Sequence, residues 1–330
     1  MATIKWGILS TAKIGRNHVI PAIQAASNCE VAAIASRSIT QAQQVAQELS
    51  IPKAYGSYEE LLADDEIQAI YNPLPNHLHI RWSIKAAEAG KHILCEKPIA
   101  LTADEAVPLL DSCRSNGVLL MEAFMYRMHT QWITAKQMVN DGKIGTLKAI
   151  QAFFSYMNRD AGNIRNNADI GGGGLMDIGC YPISAARFIF DAEPTRVFAM
   201  FDRDPDFRTD SLTSGMMQFD AGQAAFTCST QLTPYQRVNI FGTDGRIEIE
   251  IPFNAPETTP ATIRHETNGN IEEIEIDVCN QYTAQAELFS NAILDGTPVP
   301  TPPEDAIANM KVIDAMFRSE QSGQWETLLP

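Results

Sequence analysis

The chain has 330 residues, 45% hydrophobic and 20% charged, with a formal net charge of −15. That length accommodates two ordinary domains, each with its own core, and the negative charge opposes both nucleic acid and anionic membrane surfaces as partners. No run of about 18 uninterrupted apolar residues exists to span a membrane, and the opening residues lead straight into a strand-like run without a basic leader, so the expected location is cytoplasmic.

In chain order, β-rich runs at Ile4–Leu9, Val31–Ala35, Ile67–Tyr71, His92–Glu96 and Val118–Met121 alternate with helical patterns. One-sided apolar spacing marks Ile14–Ala26, and Arg81–Ala89 and Thr102–Asn116 read similarly. Ser57 with Glu60, and Thr102 with Glu105, have the spacing of capping boxes. Such alternation builds a doubly wound parallel sheet whose ligand crevice lies beyond the carboxyl ends of its strands. Residues 1–123 are assigned to that unit. From Thr146 the strands lengthen, at Leu147–Tyr156, Thr213–Phe219, Ala224–Gln231, Val238–Phe241 and Arg246–Ile251. With helices at Gly174–Phe190, Ala284–Leu294 and Ala306–Phe317, residues 124–330 read as an α+β domain, a meander-like sheet with helices on one face.

The turn after the first strand reads Gly7-Ile8-Leu9-Ser10-Thr11-Ala12-Lys13-Ile14-Gly15. Ser10, Ala12 and Gly15 occupy the three glycine slots of a dinucleotide fingerprint. Ala12 adds only a methyl, Ser10 offers a hydroxyl to phosphate, and the N–H groups of a helix start still face an anion. Ser10, Thr11, Ala12, Lys13 and Ile14 are therefore candidate cofactor contacts, the rival being an ordinary strand-to-helix loop. The second strand ends in Ser36-Arg37-Ser38, with no acid to grip the ribose of NAD. Arg37 between two hydroxyls suits a 2′-phosphate, which favours NADP.

After the Ile67–Tyr71 run, Leu74, Pro75, Asn76 and His79 are assigned to a loop above the cofactor, with Asn76 placed to cap the next helix. His77 and His79 lack a third clustered ligand, and six scattered cysteines read as buried thiols, so no metal is expected. Glu96-Lys97-Pro98 puts a lysine at the crevice, where like-charge repulsion from an oxidised nicotinamide lowers its proton affinity. Asp177 and Tyr181, four apart after Gly171–Gly174, share a helical face. A phenol beside an ammonium and a carboxylate can exchange a proton with a substrate hydroxyl. The plainer readings are a surface lysine and a packed tyrosine. Asn163, Arg165 and Asn166 are candidate hydroxyl binders, and Phe153 or Phe154 with Phe253 a candidate apolar wall for the substrate.

Trp6-Gly7-Ile8-Leu9, Pro75-Asn76-x-x-His79, Glu96-Lys97-Pro98, Asp177-x-Gly179-x-Tyr181 and the later Gly242-Thr243-Asp244-Gly245 together resemble the glucose-fructose oxidoreductase/inositol dehydrogenase (Gfo/Idh/MocA) family. The resemblance implies a Rossmann domain followed by an α+β domain whose open, mostly antiparallel sheet often joins subunits, hence a homodimer or homotetramer. It implies that Lys97, commonly before a cis Pro98, reaches the reactive oxygen. Tyr181, where many members carry histidine, and Ser36-Arg37-Ser38 are similar to the branch of dihydrodiol dehydrogenase and xylose dehydrogenase. The implied activity is NADP-dependent hydride transfer at the carbinol or carbonyl carbon of a sugar, as in an aldose 1-dehydrogenase, or of a cyclic diol. A trans-dihydrodiol dehydrogenase or sugar-ketone reductase is the near alternative, and a non-catalytic NADP sensor the rival from another class. Tyr181 is assigned as proton donor and acceptor, Lys97 as its electrostatic partner and Asp177 as orienter; the residues leave open which of Lys97 and Tyr181 is the acid.

Overall fold

The computed structural model describes residues 2–328 and divides the chain into two compact units. One comprises the chain up to Met125 with Asn280–Ile307, the other Tyr126–Cys279 with the chain from Ala308 onward. In the first, β1 (Ile4–Leu9), β2 (Cys29–Ala35), β3 (Lys53–Tyr55), β4 (Ala69–Asn72), β5 (His92–Cys95) and β6 (Leu120–Glu122) form one sheet in the order β3-β2-β1-β4-β5-β6. Every pairing is parallel, and the order reverses between β1 and β4, the switch point at which ligands of such sheets bind. Helices on both faces explain why these strands are continuous apolar runs: Ile8, Ile34, Ile70 and Ile93 are fully buried. β3 escapes a hydrophobic reading because Lys-Ala-Tyr is short, half-buried and at the sheet edge.

Local signals fix most helix starts. Ser57 accepts from Glu60 N–H while Glu60 accepts from Gly56 N–H, and Thr102 with Glu105 does the same at Leu101. Asn76 is not a cap: the helix Asn76–Glu88 begins at Asn76 itself, behind Pro75, whose φ of −57° already suits the helix, and no side chain caps it.

The helix Gln281–Asp295 packs in the first unit although it follows nearly all of the second in sequence. Trp6 Nε1 donates to Ser290 Oγ at 3.2 Å, the Trp6 and Phe289 rings lie 5.6 Å apart, and Asn28 Nδ2 donates to Glu287 O and Asn291 Oδ1. The apolar stripe of this helix announces a buried face; which surface it covers is a long-range matter that the stripe does not encode.

The second unit holds nine strands: β7 (Leu147–Met157), β8 (Arg196–Arg203), β9 (Asp210–Gln218), β10 (Gln223–Ser229), β11 (Gln231–Gly242), β12 (Gly245–Ile249), β13 (Ala261–Thr267), β14 (Asn270–Ile276) and β15 (Glu326–Thr327). Their order is β14-β13-β12-β11-β7-β10-β9-β8-β15, and only β7 and β10 run parallel. Alternation sorts the faces: Ile150, Ala152 and Phe154 of β7 are buried while Gln151 is exposed. The helix Cys180–Phe190 packs on β7, and Ser319 of the last helix accepts from Ala199 N–H of β8. On the other face Met200, Met216 and Tyr235 are 62%, 40% and 48% exposed, unusual for such side chains. All six cysteines are free thiols, and no helix among the described residues is long and apolar enough to cross a membrane.

Candidate active site

In the first unit the ends of β1 and β2 define a cavity of about 490 Å³ lined by Ser10, Thr11, Ala12, Ser36, Arg37, Ser38, Gln41 and Tyr58. Six of these were expected from sequence; Gln41 and Tyr58 are additions. Ser10 stands in the first glycine slot with φ of +79°, the left-handed conformation that this slot demands and that a side chain makes costly. Its N–H donates to Ala35 O at 2.8 Å, and its Oγ accepts from Ala12 N–H at 3.3 Å, leaving the hydroxyl hydrogen to donate elsewhere. Ser38 accepts from Gln41 N–H and so caps the helix Ile39–Glu48, which begins at the cavity. Arg37 is exposed at the rim, and no carboxylate lines the cavity. Lys13 and Ile14 open the next helix and are not among the lining residues.

Leu74, Pro75, Asn76, Glu96 and Lys97 lie outside that cavity, at the ends of β4 and β5. Tyr71, fully buried, donates to Glu96 Oε1 at 2.6 Å, and the Lys97–Pro98 bond is cis. His79 requires a correction. It is fully buried, with Nδ1 2.8 Å from Pro98 O and Nε2 2.6 Å from Leu74 O, so neither nitrogen is offered to a cofactor or a metal. It lies between the loop after β4 and the loop that carries Lys97, and as a neutral ring it donates its single N–H to one of the two carbonyls. Complete burial, above all, pushes its pKa down to about 4 despite those two carbonyls.

In the second unit the strand β7 delivers Tyr156, and the turn Ile164–Asn166 delivers Arg165, to the same carboxylate. Tyr156 Oη donates to Asp177 Oδ2 at 2.5 Å, and Arg165 Nε lies 2.9 Å from Asp177 Oδ1. Gly172 makes this possible: a Cβ there would sit 2.5 Å from Arg165 O, so only glycine lets the loop close on the turn. Asp177 belongs to a wide-turned segment, Leu175–Gly179, continuous with the helix Cys180–Phe190 that carries Tyr181; such π-type turns cluster at functional sites. Arg165 is held charged by Asp177 and also feels Tyr181. Burial and Asp177 together push the Tyr156 phenol well above its ordinary pKa, so it stays a donor.

Tyr181 is 6% exposed, its ring 5.2 Å from Phe253, 5.8 Å from Phe154 and 5.9 Å from Tyr126. Phe154 and Phe253 are therefore its packing, 5% and 0% exposed, and not a wall for substrate. Phe153 faces the opposite side, against Tyr235. Asn163 spends its Oδ1 on Arg165 N–H, and Asn166 is buried, donating to Asp160 O. Both shape the turn that presents Arg165. Tyr156 was not anticipated; two residues beyond Phe154, it shares the buried face of β7.

A doubly wound sheet with a nucleotide-sized cavity at the ends of β1 and β2, and a separate sheet unit presenting a tyrosine, an arginine and a carboxylate, define a dinucleotide-dependent oxidoreductase. The chain belongs to the Gfo/Idh/MocA family: residues 4–124 match its NAD-binding Rossmann-fold model and residues 132–248 its C-terminal domain model. It is 42% identical to a D-xylose 1-dehydrogenase (NADP(+)) of Haloferax volcanii over 96% of this chain and 98% of that protein. It is 31% identical to the trans-1,2-dihydrobenzene-1,2-diol dehydrogenase of Mus musculus over 75% and 74%. Among solved structures, the 3-ketoreductase KijD10 of Actinomadura kijaniata, in complex with NADP and TDP-benzene, superimposes with a TM-score of 0.91 at 30% identity, covering 96% of this chain and 98% of that one.

The buried histidine generates a test. Its folded pKa of about 4 lies below the ordinary 6.5, so the stability that depends on neutral His79 is complete above pH 6.5 and is lost as pH falls towards 4. Between pH 7 and pH 4 the unfolding free energy of the wild type should fall by about 3 kcal/mol more than that of His79→Gln in urea titrations. Equal losses would show that the imidazole is not held neutral by the fold.

Proposed function

We propose that this protein is an NADP-dependent aldose 1-dehydrogenase acting on a small sugar such as D-xylose. The observation that carries the reading is the array in which Tyr156 and Arg165 bracket Asp177, one helical turn before Tyr181. A phenol carried one helical turn beyond a carboxylate that is itself held by a guanidinium and a second phenol is fixed in place, which is what a group that exchanges a proton with a sugar hydroxyl needs. Tyr181 therefore serves as proton acceptor in oxidation and donor in reduction, while Lys97 holds the reacting oxygen.

The cavity fits NADP: Arg37, Ser36 and Ser38 offer a cation and hydroxyls to a 2′-phosphate, and the absence of a lining carboxylate removes the repulsion such a group would meet. Ser10, Thr11 and Ala12 lie where a pyrophosphate meets a helix start. When bound, NADP supplies the ring that accepts or returns hydride. The likeness to a 3-ketoreductase supports, as second reading, reduction of a keto sugar by the same residues. Six free thiols suit the reducing cytoplasm. We also infer that a second copy covers the open face of the nine-stranded sheet, where Met200, Met216 and Tyr235 surround a depression of about 440 Å³.

Following absorbance at 340 nm, the wild type should turn over an aldopyranose, a keto sugar or a trans-diol. Tyr181→Phe and Lys97→Ala should each lower kcat/KM by about 10²–10⁴-fold; no turnover, or two unaffected variants, refutes the assignment. Arg37→Ala should raise the KM for NADP by about 10–100-fold and leave that for NAD unchanged, and a parallel change in both would place the 2′-phosphate elsewhere. Met200→Glu should convert a dimer or tetramer into a smaller species in light scattering; a wild type that is already monomeric rules out the second copy.

A further inference from the structure

The helix that carries Asp177 and Tyr181 rests on a buried carboxyl that the proposed chemistry does not use. Asp210 opens β9 and is 1% exposed. Its Oδ2 accepts from Leu175 N–H at 2.6 Å and from the Thr213 hydroxyl at 2.7 Å. Leu175 begins the segment that runs unbroken into the helix Cys180–Phe190, so this N–H is one of those a helix start leaves unpaired. A negative charge there also meets the positive end of the helix dipole.

The glycine loop is moulded on the same group. Gly173 adopts φ of +123°, and a Cβ on it would lie 2.1 Å from Asp210 Oδ1; one on Gly174 would lie 3.2 Å from Oδ2. Gly173 O in turn accepts from Asp177 N–H at 3.0 Å. Carboxyl, loop and functional carboxylate thus form a continuous chain of contacts within one unit.

We propose that Asp210 is a positioning residue whose ionised carboxylate pins the start of this helix and so sets Asp177 and Tyr181, the set and slack states being exchanged by its proton. The inference rests on the dehydrogenase reading only for its activity readout. A neutral carboxyl still accepts from Leu175, but its own O–H needs an acceptor, and the Thr213 hydroxyl must turn round to provide one.

Burial, the dominant cause, pushes the Asp210 carboxyl up to about 6, opposed by the Thr213 and Leu175 bonds and by the charge of Arg203 on β8. Facing it from β10 is the Cys228 thiol, which burial keeps neutral and which also feels Cys180 and Asp177 of the helix. The exchange therefore falls in a range where enzymes are assayed.

Two measurements on the full chain decide it. In the first, kcat is followed from pH 5 to pH 8. The wild type should lose about tenfold towards pH 5. Thr213→Val, which removes a bond to the ionised form, should move that midpoint up by about half a pH unit. Asp210→Asn should lower kcat about tenfold with a flat acid limb and an unchanged KM for NADP. In the second, amide hydrogen exchange over residues 171–181, corrected for intrinsic rates, should show protection lost in the wild type between pH 7.5 and pH 5.5, and low protection at both in Asp210→Asn. Protection independent of pH in the wild type, or a Thr213→Val midpoint that does not move, overturns the proposal. Should Asp210→Asn fail to fold, Thr213→Val and the wild-type exchange still decide. Should no substrate turn over, the dehydrogenase reading fails while the exchange data judge Asp210 alone.

Discussion

A carboxylate almost withdrawn from water must be paired, and in the second unit that requirement organises everything around Asp177. Its side chain is 11% exposed and is bracketed by a guanidinium and a phenol. Removing either partner leaves a buried charge short of a donor, which costs more than the lost bond itself. The turn that presents Arg165, the glycines that let the loop close on it, and the end of β7 that presents Tyr156 can all be read as the means of meeting that one demand.

The cofactor side obeys a different constraint, that of backbone geometry. A sharp turn after β1 needs a residue at positive φ, and here a serine accepts the strain. In exchange it contributes an oxygen that holds Ala12 N–H and a hydrogen directed elsewhere. The departure from glycine thus changes how the turn is held without changing its path.

Much of this was legible in the sequence, for reasons of range. Capping boxes, strand-helix alternation and the residues at strand ends are written within a few positions of where they act, and the structure gathers Ser10, Arg37 and Ser36 around one cavity. What escaped depends on distance. The partner surface of Gln281–Asp295 lies at the other end of the chain. His79 sits in a motif but acts as a brace, because only the fold brings Leu74 O and Pro98 O to its two nitrogens. Tyr156 and Asp210 look like ordinary strand residues until the helix start is placed over them. One local signal was simply unused: Asn268-Gly269, both at positive φ, makes the tight hairpin between β13 and β14.

The bond from Trp6 to Ser290 spans 284 positions. A ribosome delivers the first strand long before the helix that seals it, so until that helix arrives the nucleotide-binding sheet has an unsealed apolar flank. Completion of this unit therefore waits on a contact of very long range, which is entropically expensive to reach and slow to form.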